Sequence, residues 1–148
     1  MATLSLGQTT QYPDQYDPSL LFPIPRAENR AKLGLKESQP LPFVGNDIWN
    51  AFELSWLNKR GKPQIALAEF QIPADSPNMI ESKSFKLYLN SLNNARFEDE
   101  SELRELLIKD LSTVTGSKVT TRIDSTEAAA KRGMQEMGGV LLDRLDIE

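Results

Sequence analysis

The sequence predicts an α+β fold built on an antiparallel sheet. Polar and apolar side chains alternate over residues 47–57, which is typical of a half-buried strand. A turn-rich segment follows, and residues 64–72 are predicted to return as the second strand of a hairpin. Beyond residue 84 the period of the apolar residues changes from two to that of a helix. This order of strands, helices and a later strand candidate favours an α+β fold over alternating βα units.

The composition is that of an ordinary globular protein. The 148 residues suit one domain, or one domain with an arm; 39% are hydrophobic and 26% are charged. The net charge of −4 argues against a nucleic-acid partner, because phosphate contacts usually require a basic excess. No apolar run is long enough to cross a membrane, and the first ten residues do not resemble a secretory signal. We therefore expect a cytoplasmic protein with no membrane partner.

Two residue types are missing, and their absence restricts the chemistry. The chain contains neither cysteine nor histidine, which excludes thiolate nucleophiles, zinc sites built from these residues and Ser-His-Asp relays within it. Carboxylates, lysine, tyrosine and oxygen-ligated metals remain available. The four acids of residues 98–102 stand where a helix is predicted to start, and acids are expected there, so they do not indicate a metal site. We expect no catalytic residue in this chain.

The first 42 residues are predicted to form an extended arm. Six of the nine prolines precede residue 43, and proline is excluded from helix interiors and central strands. The same segment carries apolar residues, among them Tyr16, Leu21 and Phe22, which a solvated linker would rarely contain. We therefore expect the arm to pack on the rest of the molecule.

The hairpin follows the arm. Its first strand, Asp47–Leu57, is predicted to place four apolar residues on one face: Ile48, Phe52, Leu54 and Trp56. The segment Asn58–Pro63 has turn chemistry. Trp49 and Trp56 are interpreted as core or subunit-interface residues rather than as ligand-stacking ones.

Two helices are predicted next. The apolar residues of the first recur at i, i+3, i+4 and i+7: Phe85, Tyr88, Leu89 and Leu92. The second begins near Asp99, which with Glu102 has the spacing of a capping box, and ends at Gly116. Its apolar face consists of Leu103, Leu106, Leu107 and Leu111. Weaker patterns indicate a strand at Lys118–Ile123, helical turns at Thr126–Lys131 and a further strand at Val140–Ile147.

The segment Glu81-Ser82-Lys83-Ser84-Phe85-Lys86-Leu87-Tyr88 resembles the signature of the QueF family, the nitrile reductases of queuosine biosynthesis. Eight specified positions are far more specific than a short glycine motif. The stretches Asn46–Trp49 and Glu53–Asn58 resemble the long, two-module branch of that family. The resemblance runs from about Leu6 to Ile123.

The resemblance implies a tunnelling fold, in which ββααββ units, each a sheet with two helices on one face, assemble into barrels that bind purine-like ligands at their interfaces. Residues 1–42 would be the arm and residues 43–123 the N-terminal module. Residues 124–148 would be an inter-module segment or the start of a further strand. The implied activity is NADPH-dependent reduction of 7-cyano-7-deazaguanine to its aminomethyl form. The cysteine nucleophile and an acidic proton donor would lie in a C-terminal module that this chain lacks, and the complete enzyme is expected to be a homo-oligomer.

The same resemblance implies that Ile80, Glu81 and Ser82 contact the substrate and that Ser82 and Lys83 contact NADPH. The residue types are suitable. A carboxylate accepts hydrogen bonds from the N–H-rich edge of a guanine-like ring, and a lysine beside a helix start suits a phosphate. The structural alternative is that the serine is a helix cap, the lysine is solvated and Glu81 complements the helix dipole. We expect replacement of Glu81 to have little effect on stability.

Two other functions fit the sequence. The chain could be a non-catalytic purine-binding or assembly module of the tunnelling fold, which folds alone and has no reaction of its own. It could also be another tunnelling-fold enzyme, such as one acting on pterins, although the zinc enzymes of that group use cysteine and histidine.

Overall fold

A computed structural model describes residues 13–36, 39–133 and 142–146 of the chain, with only the backbone of Arg144. Its elements are a 3-10 turn at Pro18–Leu20, β1 (Pro23–Pro25), α1 (Arg26–Lys32), β2 (Asn46–Asn58), β3 (Pro63–Pro73), β4 (Asn78–Ile80), α2 (Ser82–Ser91), β5 (Arg96–Phe97), α3 (Glu100–Thr115), β6 (Thr120–Ser125), α4 (Thr126–Arg132) and a second 3-10 turn at Leu142–Arg144. The predicted α+β class is confirmed.

The main sheet has four strands in the order β5-β2-β3-β6. β3 pairs antiparallel with both β2 and β6, and the two-residue β5 lies parallel to the end of β2. β1 and β4 form a separate antiparallel pair. One hydrophobic core joins the sheet to α2 and α3, because alternate residues of β3 (Ala66, Ala68, Phe70 and Ile72) are buried with the apolar stripes of both helices. The predicted hairpin and both predicted helices are confirmed.

The turn between β2 and β3 is stabilised by Asn58. Its side-chain oxygen accepts hydrogen bonds from the backbone N–H groups of Arg60 and Lys62, each at 3.0 Å. Gly61 takes a positive φ of 82°, which few other residues adopt without strain. These hydrogen bonds stabilise a short turn that leads directly from β2 into β3.

A bulge in β2 reverses which side chains face the core. Ala51 pairs with Ala68, but the next pair joins Leu54 to Ala66, so β2 contains one extra residue. The prediction that Ile48 and Phe52 share the face of Leu54 and Trp56 is therefore wrong. Ile48 is 59% exposed and Phe52 is 79% exposed.

The core positions of the helices follow the predicted spacing. Phe85, Tyr88 and Leu92 are buried on α2, and Leu103, Leu107 and Leu111 are buried on α3. Asp99 caps α3 by accepting a hydrogen bond from the Glu102 N–H at 3.0 Å, and Gly116 ends the helix in the left-handed conformation. Trp56 is buried in the core as expected.

The arm is not extended throughout, which corrects the prediction for residues 1–42. Residues 26–39 contain no proline, and the helix α1 forms within this window directly after Pro25. Leu21 belongs to the hydrophobic core, so the segment before α1 does pack on the rest of the molecule.

The C-terminal part differs in one further respect. The helical turns predicted at Thr126–Lys131 are present as α4. The strand predicted at Val140–Ile147 is not seen, because Leu142–Arg144 form a 3-10 turn, and residues 140, 141 and 147 lie outside the described residues.

In the part of the chain that the structure describes, no helix is both long and apolar enough to span a bilayer.

Candidate functional site

The signature residues form a tight junction between β4 and α2, here called the signature turn (Ile80–Ser84). Glu81 is the N-cap of α2: its Oε1 accepts a hydrogen bond from the Lys83 N–H at 2.9 Å and its Oε2 accepts one from the Ser84 N–H at 2.7 Å. Glu81 is 5% exposed. The carboxylate thus satisfies two of the backbone donors at the positive end of the helix.

The first predicted contact residue, Ile80, turns into the core. Its side chain is 1% exposed, and its backbone is paired with Pro23 of β1. The residue as a whole is buried in this chain, so neither its side chain nor its backbone presents appreciable surface to a ligand.

Ser82 and Lys83 are the first two residues of α2. Ser82 is exposed, and within the described residues its hydroxyl makes no hydrogen bond, whereas Lys83 is half-buried. The structure thus brings the three polar residues of the predicted site together on one turn of chain. Ser82 is the residue among them that this turn presents most openly to solvent.

Ser82 also lines a cavity of about 320 Å³ between β2 and α2, here called the β2–α2 groove. The remaining lining residues are Trp49, Asn50, Ala51, Glu53, Ser55, Phe70, Phe85, Lys86, Leu89, Asn90 and Asn93. The volume is at the lower end of the range for small-molecule sites.

The groove combines an aromatic floor with a polar rim. Phe85 makes edge contacts with the rings of Trp49 and Phe70, with centroid separations of 5.5 and 5.1 Å. On the rim, the Ser55 hydroxyl donates to the Asn93 side-chain oxygen at 2.6 Å. Such a site suits a flat ring whose edges carry hydrogen-bonding groups.

Sequence reasoning did not identify the rim residues. The sequence does contain a pattern for the residues on the helix: Ser82, Lys86 and Asn90 are spaced four residues apart, which places them on one polar stripe of α2. The residues from β2, such as Asn50 and Glu53, had no such signal, because the bulge decides where their side chains lie.

A second, smaller cavity of about 180 Å³ lies between the β2–β3–β6 sheet and α4 and contains an ion cluster. Arg122 bonds to Glu69 at 2.9 Å and to Asp124 at 3.1 Å, and Arg132 bonds to Asp124 at 2.5 Å. The hydrogen bond from Arg132, followed by that from Arg122, holds the pKa of Asp124 below its usual value. The charges in this cluster are mutually paired, which is typical of a structural role. Over the described ranges, no group of three or more acids could hold a metal ion.

The protein-family comparison matches residues 12–123 to the model described as "Nitrile reductase, 7-cyano-7-deazaguanine-reductase N-term". The matched range includes the signature turn and all the residues of the β2–α2 groove.

Curated proteins of the same kind are similar over the whole chain. A protein named NADPH-dependent 7-cyano-7-deazaguanine reductase from Cupriavidus necator is 57% identical over 143 residues, covering 97% of this chain and 52% of the relative. Proteins of the same name from Burkholderia thailandensis and Bordetella parapertussis are 54% and 52% identical, covering 97% and 100% of this chain and 52% and 54% of theirs. The chain thus spans about half the length of the curated relatives it matches.

Proposed function

The chain belongs to the QueF family of nitrile reductases, and from that membership we propose that it is the N-terminal half of an NADPH-dependent 7-cyano-7-deazaguanine reductase. The observation that carries the proposal is the match of nearly the whole chain to one half of relatives bearing that name. In this proposal the chain supplies contacts to the substrate and the cofactor, and the reaction is completed by a second half.

The residue types suggest which part of the reaction each half of the protein would perform. A nitrile carbon is a modest electrophile, and attack by a thiolate is the family's way of making it reducible. This chain has no cysteine, so the thiol has to come from the second half. NADPH, when bound, supplies the hydride; the residues of this chain would bind and orient the reactants.

The proposed contacts centre on the start of α2. Ser82 and Lys83 would hold NADPH, because the helix dipole favours a phosphate near the start of α2 and Lys83 adds a full positive charge there. The Lys83 and Ser84 N–H groups do not contribute to these contacts, since Glu81 already accepts from both. Glu81 and Ser82 would contact the deazapurine. Ile80, the third residue implied by the resemblance, would do so only after a rearrangement that uncovers it. The exposed Ser82 hydroxyl, on the wall of the groove, supports this assignment most directly.

We propose the β2–α2 groove as the place of the deazapurine ring. The Trp49, Phe70 and Phe85 side chains give an apolar floor, and the amides of Asn50 and Asn90 can each donate and accept at a ring edge. Ser82 connects the groove to the helix start, so one side chain could border both ligands.

The finer architecture, a tunnelling-fold unit that assembles with others, also belongs to the proposal. Among the described residues, β2 has a partner on its outer side only at Leu57 and Asn58, which leaves most of that edge available for another strand. Ile48, Phe52 and Ile65 are exposed apolar residues of β2 and β3. The partners would be the protein's own second half and further copies, in a homo-oligomer.

The test compares this chain with the complete two-half protein. The complete protein is expected to consume NADPH, followed by its absorbance, when 7-cyano-7-deazaguanine is added, and the 148-residue chain is not. NADPH alone and substrate alone serve as controls. Turnover by the isolated chain would show that the thiol is dispensable. Binding without turnover by the complete protein would favour the alternative, a non-catalytic purine-binding module.

A further inference from the structure

The segment Tyr16–Pro25, here called the strap, runs along α2 in the opposite direction to the helix. Near the C-terminal end of α2, the Asp17 N–H donates to the Ser91 hydroxyl at 3.2 Å. Near the N-terminal end, the Phe22 N–H donates to the Ser84 hydroxyl at 3.0 Å. The strap then continues as β1, which pairs with β4 just before the signature turn.

Two serines therefore fasten the strap by the same chemistry. Ser84 and Ser91 are seven residues apart, which places them on one face of α2 two turns from each other. They are 3% and 0% exposed. Each also donates its hydroxyl proton to the carbonyl three residues earlier, that of Glu81 at 2.7 Å and that of Tyr88 at 2.6 Å.

The far end of the strap is anchored by two tyrosines that share one carboxylate. The hydroxyls of Tyr16 and Tyr88 both donate to Asp110 Oδ2 of α3 at 2.7 Å, and their rings meet edge to face. Burial and the bonds to Asp110 raise the pKa of both tyrosines above the ordinary range. Both hydroxyls are thus protonated donors at neutral pH.

The near end of the strap encloses Glu81. The Glu81 N–H donates to the Phe22 carbonyl at 2.9 Å, and the Glu81 carbonyl accepts from the Ser84 hydroxyl, which in turn accepts from the Phe22 N–H. Both peptide groups of Glu81 are therefore held by the strap, one directly and one through Ser84. Ser91 has no comparable relation to the signature turn, since it lies two turns away.

We propose that Ser84 is a positioning residue: by joining the strap to the signature turn, its hydroxyl fixes the Glu81–Lys83 backbone in the arrangement that contacts the ligands. The inference rests on the proposed function of that turn. Ser84 itself is buried, and in this proposal it makes no contact with a ligand. Its effect on binding is exerted through Glu81 and Ser82.

The test uses the complete protein and the matched variants Ser84→Ala and Ser91→Ala. Both remove a buried hydroxyl that bridges the strap to α2, so both are expected to lower the melting temperature to a similar extent. Only Ser84→Ala is expected to weaken binding of 7-cyano-7-deazaguanine, by about 3- to 10-fold in Kd and KM, the effect of one neutral hydrogen bond. Ser91→Ala is expected to stay within about twofold of wild type.

A second readout needs no ligand. Hydrogen exchange of the amides of residues 82–84 is expected to accelerate in Ser84→Ala and not in Ser91→Ala. If Ser84→Ala yields no folded protein, Ser84→Cys replaces it, because a thiol has nearly the same shape but is a weak donor. Equal effects of the two serines on affinity and exchange would overturn the positioning role. A wild-type protein that neither binds nor reduces the nitrile would instead overturn the proposed function. Because the exchange experiment needs no ligand, it would still test the effect of Ser84 on the signature turn in that case.

Discussion

Glu81 caps α2 with both of its carboxylate oxygens, and this changes what its replacement should do. From the sequence, a residue at a helix entrance is expected to contribute little to stability. In the structure the side chain is buried and serves the backbone N–H groups of Lys83 and Ser84. Removing a partner from a buried donor costs the desolvation of that donor, so this geometry predicts a measurable loss of stability in place of the negligible effect expected from the sequence.

Glu81→Gln tests both roles of the residue. The amide keeps one acceptor and turns a donor towards a helix N–H, so we expect the free energy of unfolding to fall by about 1–3 kcal/mol. In the complete protein, substrate binding is expected to weaken by about 10- to 150-fold as well, the range for a hydrogen bond to a charged group. Thermal melts and titration with the nitrile measure the two effects.

Glu102→Gln is the control for that experiment. Glu102 also accepts a backbone N–H at a helix start, that of Glu98 at 2.7 Å, but it is exposed and belongs to α3. A lowered melting temperature with unchanged affinity in Glu81→Gln would leave Glu81 with a structural role alone.

Ile80 shows which part of the site the sequence could not predict. The signature predicted a site on this segment, and the polar types of Glu81, Ser82 and Lys83 indicated the helix start that the structure confirms. The direction of the Ile80 side chain depends on the pairing of β4 with β1, whose residues lie more than 50 positions earlier. No local pattern contains that information.

At the level of elements, the helices could be predicted and the face of β2 could not. The helical stripes and the caps at Asp99 and Gly116 are local features, because each depends only on residues a few positions apart in the sequence. The bulge after Ala51 adds one residue without any glycine or proline to mark it, so the alternation continues across it in the sequence. The α1 helix was not predicted for a different reason. The prolines on both sides led to the prediction of an extended arm throughout, although the window between them, in which α1 forms, contains no proline.

The ion pairs at the junction of β6 and α4 are expected to make the stability of the fold depend on pH in the acidic range. Arg132 and Arg122 hold the pKa of Asp124 below its usual value. A depressed pKa stabilises the fold above the ordinary aspartate pKa, and that contribution is lost as the pH falls through the folded-state value. Melting temperatures between neutral pH and pH about 3 should therefore fall less steeply for Asp124→Asn than for wild type. Parallel curves, matching those of Asp75→Asn at an exposed position after β3, would contradict this.

For the whole molecule, the exposed apolar residues of β2 and β3 predict where the proposed homo-oligomer would assemble. We expect Phe52→Ser in the complete protein to weaken self-association by at least about tenfold, because large aromatic side chains dominate interface energies. Sedimentation over a range of concentrations measures this. Leu33→Ser, at the end of α1, removes an equally exposed apolar side chain that does not belong to the sheet and should leave association unchanged. Equal behaviour of the two variants would place the interface elsewhere.

The strap also has a consequence for the order in which the chain folds. Its hydrogen bonds to Ser84, Ser91 and Asp110 join residues 62, 74 and 94 positions apart. The β2–β3 hairpin closes only a short turn, and loop-closure entropy makes such local contacts form first. Although the strap is synthesised before α2 and α3, its full set of hydrogen bonds can form only once Asp110 has been made. We expect pulsed hydrogen exchange to show the Phe22 amide protected after the hairpin amides, so that residues synthesised before the hairpin become ordered after it.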